Sequence, residues 1–182
     1  MAAIAGSVAR RYARALFSIG VDQASVEPLG KQLDELTAVY AGSLELRQAM
    51  ENPVFKLAEK RSILEKILPR VAPNRLVRSF ALLLLERGRI GALPGIARAY
   101  RELSDAHAGR VRARITSARP LDVMELAAVQ RAIEKRTGKK ALVETAVDPE
   151  LIGGVVAHVG DLVLDGSIRT KLANLKERLV LH

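Results

Sequence analysis

The sequence predicts an α+β protein: an N-terminal six-helix bundle followed by a small β-α-β-β-β-α domain. Three observations predict it. From Ser7 to about Ala106, apolar residues recur at three- and four-residue spacing, the period of helices with one buried face. After Gly109 the period drops to two, as in a half-exposed strand. Helix breakers also punctuate the first stretch at short intervals, and short connections between amphipathic helices imply antiparallel packing.

The helices are expected at 7–24, 27–40, 43–50, 56–68, 74–87 and 91–106. Pro28, Gly42, Asn52-Pro53, Pro69 with Pro73, Gly88 and Gly109 separate them. In the first helix, Val8, Tyr12, Leu16 and Ile19 form the apolar stripe. The fifth, "RLVRSFALLLLERG", is apolar on most sides. It is either the centre of the bundle or a helix whose spare face takes a partner. Gly88, after Glu86-Arg87, is the natural C-cap glycine.

A domain boundary falls near 106–109, giving domains 1–106 and 107–182. In "RVRARIT", Val111, Ala113 and Ile115 point one way and Arg110, Arg112 and Arg114 the other. Asp122 and Glu125 then form a capping box for a helix with the stripe Leu126, Val129 and Ile133, which Gly138 ends. "KALVETAV" returns to strand. Two short strands, 155–159 and 162–164, flank the two-residue turn Gly160-Asp161, where glycine meets a need for positive φ. Asp165-Gly166-Ser167 begins a last helix with Ile168, Leu172, Leu175 and Leu179 on one face.

The glycines of "LIGGVVAHVGDLVLDGSIRTKL" raise the question of a phosphate cradle. Neither Gly-x-x-x-x-Gly-Lys-Ser/Thr nor Gly-x-Gly-x-x-Gly occurs there. Gly153, Gly154, Gly160, Asp161, Asp165 and Gly166 are therefore read as structural turns, and no cofactor is expected.

Composition narrows the function. The 182 residues contain no cysteine, which excludes disulfides and thiol catalysis. The formal charge is +9, spread over both halves: 16 Lys and Arg against 11 Asp and Glu in residues 1–106, 13 against 9 in the rest. Such a field favours acidic partners, nucleic acid or anionic lipid without choosing among them. The longest apolar run, residues 80–85, is far short of the roughly 20 residues a membrane span needs. The arginine-rich start, "SVARRYARALFSIGV", fits either a mitochondrial presequence or an ordinary buried helix face.

Chemistry is sparse. His107, His158 and His182 have no metal-ligand neighbour at helical spacing, so no metal site is expected. No nucleophile elbow occurs, and no catalytic residue stands out. RNA binding is the competing reading, with Arg110, Arg112 and Arg114 tracking phosphates. Against it, all six aromatics (Tyr12, Phe17, Tyr40, Phe55, Phe80, Tyr100) lie in the helical half, leaving the strands nothing to stack on bases.

Three stretches resemble a known family. "RRYARALF" matches a Tyr-Ala-x-Ala-Leu/Ala-Phe signature through Tyr12, Ala13, Ala15, Leu16 and Phe17. "LLERGRIGALPGIARAY" matches at Glu86, Gly88, Arg89, Leu93 and Pro94. "DPELIGGVVAHVGDLVLDGSIRTKLANLKERL" is similar to the C-terminal signature. The family is that of the delta subunit of the F-type ATP synthase, the bacterial relative of the mitochondrial oligomycin-sensitivity-conferring protein. Arg11 stands where the family often has proline.

The resemblance implies a non-catalytic stator subunit, one copy per complex, peripheral at the cytoplasmic face of the bacterial inner membrane. Domain 1–106 would bind N-terminal helices of the alpha subunits. Domain 107–182 would bind the b subunits of the peripheral stalk. Rotation is thereby coupled to proton translocation and ATP synthesis. The family's helix 1 and helix 5 groove maps to Tyr12, Ala15, Leu16, Ile19, Leu83 and Leu84, each of which is either groove or bundle core. The stalk contact maps to Leu172, Leu175 and Leu179, which either face the stalk or cover their own sheet. So early a signature also leaves little chain for a presequence, and the arginine-rich start then reads as the first helix.

Overall fold

A computed structural model describes residues 2–149, 151, 153–160 and 162–168. The chain divides into two compact units, one ending at Ser104 and one beginning at Asp105.

The helical unit contains α1 (Ala2–Asp22), α2 (Val26–Gly42), α3 (Leu44–Glu51), α4 (Leu57–Val71), α5 (Arg75–Glu86), a 3-10 turn (Ile90–Ala92) and α6 (Leu93–His107) up to Ser104, the last residues of α6 belonging to the second unit. Short polar residues set the starts. Ser43 Oγ accepts from the Leu46 N–H at 3.1 Å, and Asn74 Oδ1 from the Leu76 N–H at 2.8 Å. Gly88 ends α5 with φ +62°; its N–H reaches the Leu85 carbonyl at 3.0 Å and the Arg89 N–H the Leu84 carbonyl at 2.7 Å. These two bonds satisfy carbonyls the helix itself leaves open.

Two elements differ from the expected bounds. The fourth helix was expected to stop at 68, before Pro69, yet α4 runs to Val71 with Pro69 inside it. Proline removes its own N–H and crowds the carbonyl four residues back, but the Ala72 N–H still closes the last turn on the Leu68 carbonyl at 2.8 Å. The first helix begins at Ala2 instead of 7. Its opening residues are mostly alanine, the best helix former, and contain no proline.

The core of this unit takes Leu29, Leu33, Leu36 and Tyr40 from one face of α2, with Leu68, Val77, Leu84, Leu93 and Ile96. Tyr100 is 1% exposed. Its hydroxyl donates to the Val26 carbonyl at 3.0 Å, and Phe17 meets its ring edge-on at 5.9 Å. The absence of a side chain at Gly20 makes room for it: a Cβ there would stand 2.9 Å from the hydroxyl.

Two buried tyrosines should make this unit sensitive to alkali. Burial, and then the bond its hydroxyl donates to Glu51 at 2.5 Å, push the Tyr40 pKa far up. Burial, with the charge of Glu27, pushes Tyr100 up to about 12. The unfolded phenols ionise near pH 10 while the folded ones keep their protons. The stabilisation is therefore complete below about pH 10 and is lost as pH rises from there. Each tyrosine should contribute a slope of about 1.4 kcal/mol per pH unit. Melting between pH 9 and pH 11 checks this, with Tyr40→Phe removing about half of the alkaline loss.

The second unit contains β1 (Arg110–Ser117), α7 (Val123–Thr137), β2 (Lys140–Val147), β3 (Val155–Val159) and β4 (Leu162–Asp165). The strand order is β2-β1-β3-β4. β1 runs parallel to β2 and antiparallel to β3, and β4 is antiparallel to β3. The parallel pair needs a crossover, which α7 supplies. Asp122 Oδ1 accepts from the Glu125 N–H at 2.8 Å and the Glu125 carboxylate from the Asp122 N–H at 3.1 Å, closing the capping box. At the other end Gly138 has φ +67°. Ala113, Ile115, Ala141, Ala157 and Val159 bury one sheet face with Ile133 of α7. The order β-α-β-β-β is as the sequence predicts; of the expected last helix, residues 169–182 lie outside the described residues.

Candidate partner-binding surfaces

The apolar residues of α1 are too many for one buried face. Ala9, Ala13 and Leu16 point into the core. Beside them, Val8 and Tyr12 are half-buried, while Ala15 and Ile19 are exposed. The Tyr12 ring stands edge-on to Phe80 of α5, with centroids 6.3 Å apart and planes at 69°, so the two helices lie side by side there.

On α5 the same split separates neighbours. Val77, Phe80, Ala81, Leu84 and Leu85 are buried, whereas Leu83 is 39% exposed, like Ile19 at 38%. Of the six positions expected to form the groove, Leu16 and Leu84 thus sit in the core, at 1% and 0% exposure. Tyr12, Ala15, Ile19 and Leu83 keep surface to offer.

Sequence reasoning passed over a second apolar area. Val54, Phe55 and Leu57 are exposed around the break after α3, and Leu44 is exposed at its start. Beside them Met50, Pro53, Phe55, Leu57 and Ile90 help line a hollow of about 480 Å³. The signal was present in Val54-Phe55 directly after the Asn52-Pro53 stop, where no helix needs apolar side chains.

In the second unit the glycines shape backbone. Gly160 has φ +58° in the turn joining β3 to β4, and its expected companion Asp161 lies outside the described residues. Asp165 Oδ1 accepts from the Ser167 N–H at 2.8 Å. Gly154 has φ +85°, and a Cβ on it would fall 2.5 Å from the Gly166 carbonyl oxygen. A Cβ on Gly166 would meet the Val155 carbonyl at 3.2 Å, and one on Gly153 the Ile168 side chain at 2.6 Å. The approaches at Gly154 and Gly166 are to backbone, and that at Gly153 is to the end of the Ile168 side chain. Leu172, Leu175 and Leu179 lie outside the described residues.

The arginines of β1 are less free than their alternation implies. Asp105 is buried and takes Arg112 at 2.5 Å and Arg110 at 3.4 Å. Arg112 also lies 3.6 Å from Glu144. Acids on hand thus neutralise much of the face that RNA binding would use. Among the described residues, no three His, Asp or Glu side chains gather into a possible metal site. Among them also, no helix is long and apolar enough to cross a membrane.

An apolar stripe left half-exposed on folded helices is surface of the kind that interaction sites use. Comparison with known proteins gives the particular case. Residues 8–179 match the family model described as ATP synthase delta (OSCP) subunit. A protein named ATP synthase subunit delta from Anaeromyxobacter dehalogenans is 44% identical over 174 residues, 96% of this chain and 97% of that one. Its namesake from Trichlorobacter lovleyi is 38% identical over 176 residues, 97% of this chain and 98% of that one. A chain of the Toxoplasma gondii mitochondrial ATP synthase hexamer shares the fold, with a TM-score of 0.66 at 23% identity over 94% of this chain and 97% of that one. The chain belongs to the ATP synthase delta (OSCP) subunit family. It is a stator component of the peripheral stalk, structural and not catalytic, and the RNA-binding reading has no support.

Proposed function

We propose that the chain ties the alpha subunits of the catalytic head to the b subunits of the peripheral stalk, one copy per complex, at the cytoplasmic face of the bacterial inner membrane. The helical domain, residues 1–106, acts as a six-helix bundle that takes an alpha-subunit N-terminal helix between α1 and α5. The domain of residues 107–182 takes the stalk, with Leu172, Leu175 and Leu179 as its contacts. Held at both ends, the subunit resists the torque that rotation applies to the head.

The observation that carries this reading is that Tyr12, Ala15 and Ile19 of α1 and Leu83 of α5 keep surface while their neighbours fill the core, on two helices that meet at Tyr12 and Phe80. A helix laid in such a groove is held through residues at i, i+3, i+4 and i+7. Pull-down from solubilised membranes tests it: the parent protein should recover alpha and b subunits. Ile19→Glu places a charge in the groove at an exposed site, and should lose alpha while keeping b. Retention of alpha by a folded Ile19→Glu protein moves the contact off α1.

A further inference from the structure

The exposed side of α1 is basic, and an arginine stands at each end of α5. α1 carries Arg10, Arg11 and Arg14 and no acid before Asp22. Its outer face forms a shallow depression of about 480 Å³, lined by Ser7, Arg10, Arg11, Arg14, Ala15 and Ser18. α5 adds Arg75 at its start, and Arg87 follows its end. The one acid of α5, Glu86, is already held by Arg61 of α4 at 3.1 Å. Arg61, Arg101, Arg110, Arg112 and Arg119 are all in ion pairs; among the described residues, Arg11, Arg14, Arg75 and Arg87 have no acid within pairing distance.

We propose that these arginines make the groove selective for an amphipathic helix whose apolar stripe is flanked by Asp and Glu. The inference rests on the reading of the groove as the seat of an alpha-subunit helix, and adds what that helix must carry. An incoming helix with basic flanks would meet unpaired arginines of like charge, which rejects it. Acidic flanks meet guanidinium groups able to hold carboxylates in two parallel bonds, and the same field speeds encounter. The apolar stripe supplies the seat, and the arginines decide what may occupy it.

The test uses two synthetic peptides with one shared Leu/Ile stripe, flanked by Glu in the first and by Lys in the second. The full chain should bind the Glu peptide, weakening as salt rises from 50 to 500 mM, and should bind the Lys peptide at least tenfold more weakly. Arg11→Gln with Arg14→Gln, both at exposed positions, should cost the Glu peptide about fivefold and flatten its salt dependence. Equal, salt-independent binding of the two peptides overturns the proposal while leaving the groove in place. Binding unaffected by Ile19→Glu and Leu83→Glu removes the groove reading itself, and the proposal with it. Inorganic polyphosphate serves as a third probe. If it displaces the Glu peptide as well as unlabelled peptide does, the arginines attract charge without reading a helix, and the proposal fails.

Discussion

Leu84→Asp should unfold the helical unit, while Leu83→Asp, one residue away, should leave it folded. Leu84 has no exposed surface and lies in a core of aliphatic side chains. Truncating such a leucine alone costs about 2–5 kcal/mol. An unpaired carboxylate in its place adds a further penalty of several kcal/mol. A domain stable by about 5–15 kcal/mol does not withstand both comfortably. Leu83, at 39% exposure, can turn a carboxylate into water. Circular dichroism should show the helical transition lost in Leu84→Asp and shifted by only a few degrees in Leu83→Asp. The second variant should still fail to hold an alpha-subunit peptide. A parent-like melt for Leu84→Asp would mean that the core of α5 has been put on the wrong face.

Gly154→Val is the largest single blow expected to the sheet unit. The residue has φ +85°, which a β-branched side chain avoids, and its Cβ would collide with the Gly166 carbonyl and the Ser167 Cα at 2.5 and 2.9 Å. Those are backbone atoms, which cannot rotate away. The two strands of chain are tied by the Gly166 N–H to Val155 carbonyl bond of 2.9 Å and the Ile168 N–H to Gly153 carbonyl bond of 3.0 Å. Strain plus these bonds amounts to roughly 2–6 kcal/mol. Gly160→Val is the control: φ is +58°, but its Cβ would enter open space. Only strain of about 1–3 kcal/mol applies there. Thermal melts of the two variants should rank in that order. In membranes, Gly154→Val should uncouple ATP hydrolysis from proton pumping while the detached head still hydrolyses ATP. Equal melts for the two variants would show that the crowding at Gly154 relaxes at little cost.

Local signals were the legible ones. Asp122 with Glu125, Gly88 and Gly138 each act within a turn of their own position, so the residue types announce the caps. Pro69 is a weak stop because it falls in the last turn of α4, where only a few residues follow the lost bond and the crowded carbonyl. Long-range placement was hidden. Leu16 and Ile19 belong to one stripe by spacing, as Leu83 and Leu84 belong to one apolar run, and nothing along the chain says which a neighbouring helix covers. The need for glycine at 154 is hidden likewise, since the clash is with backbone twelve residues further on. The pairing of Arg110 and Arg112 with a buried acid at 105 joins residues on either side of the period change. Reading the strand alone made them look like a free basic face.

The position of β1 bears on how this unit carries a load. It is the first strand of the second unit, and it lies inside the sheet with β2 on one side and β3 on the other. A pull along the axis of β1 would arrive at a strand gripped on both flanks, and would have to slide two hydrogen-bonded ladders at once. An outer strand such as β4 would peel from its neighbour one bond after another. Shear spreads tension across many bonds together, whereas peeling presents them singly. Tension entering at Arg110 thus meets a strand paired on both sides.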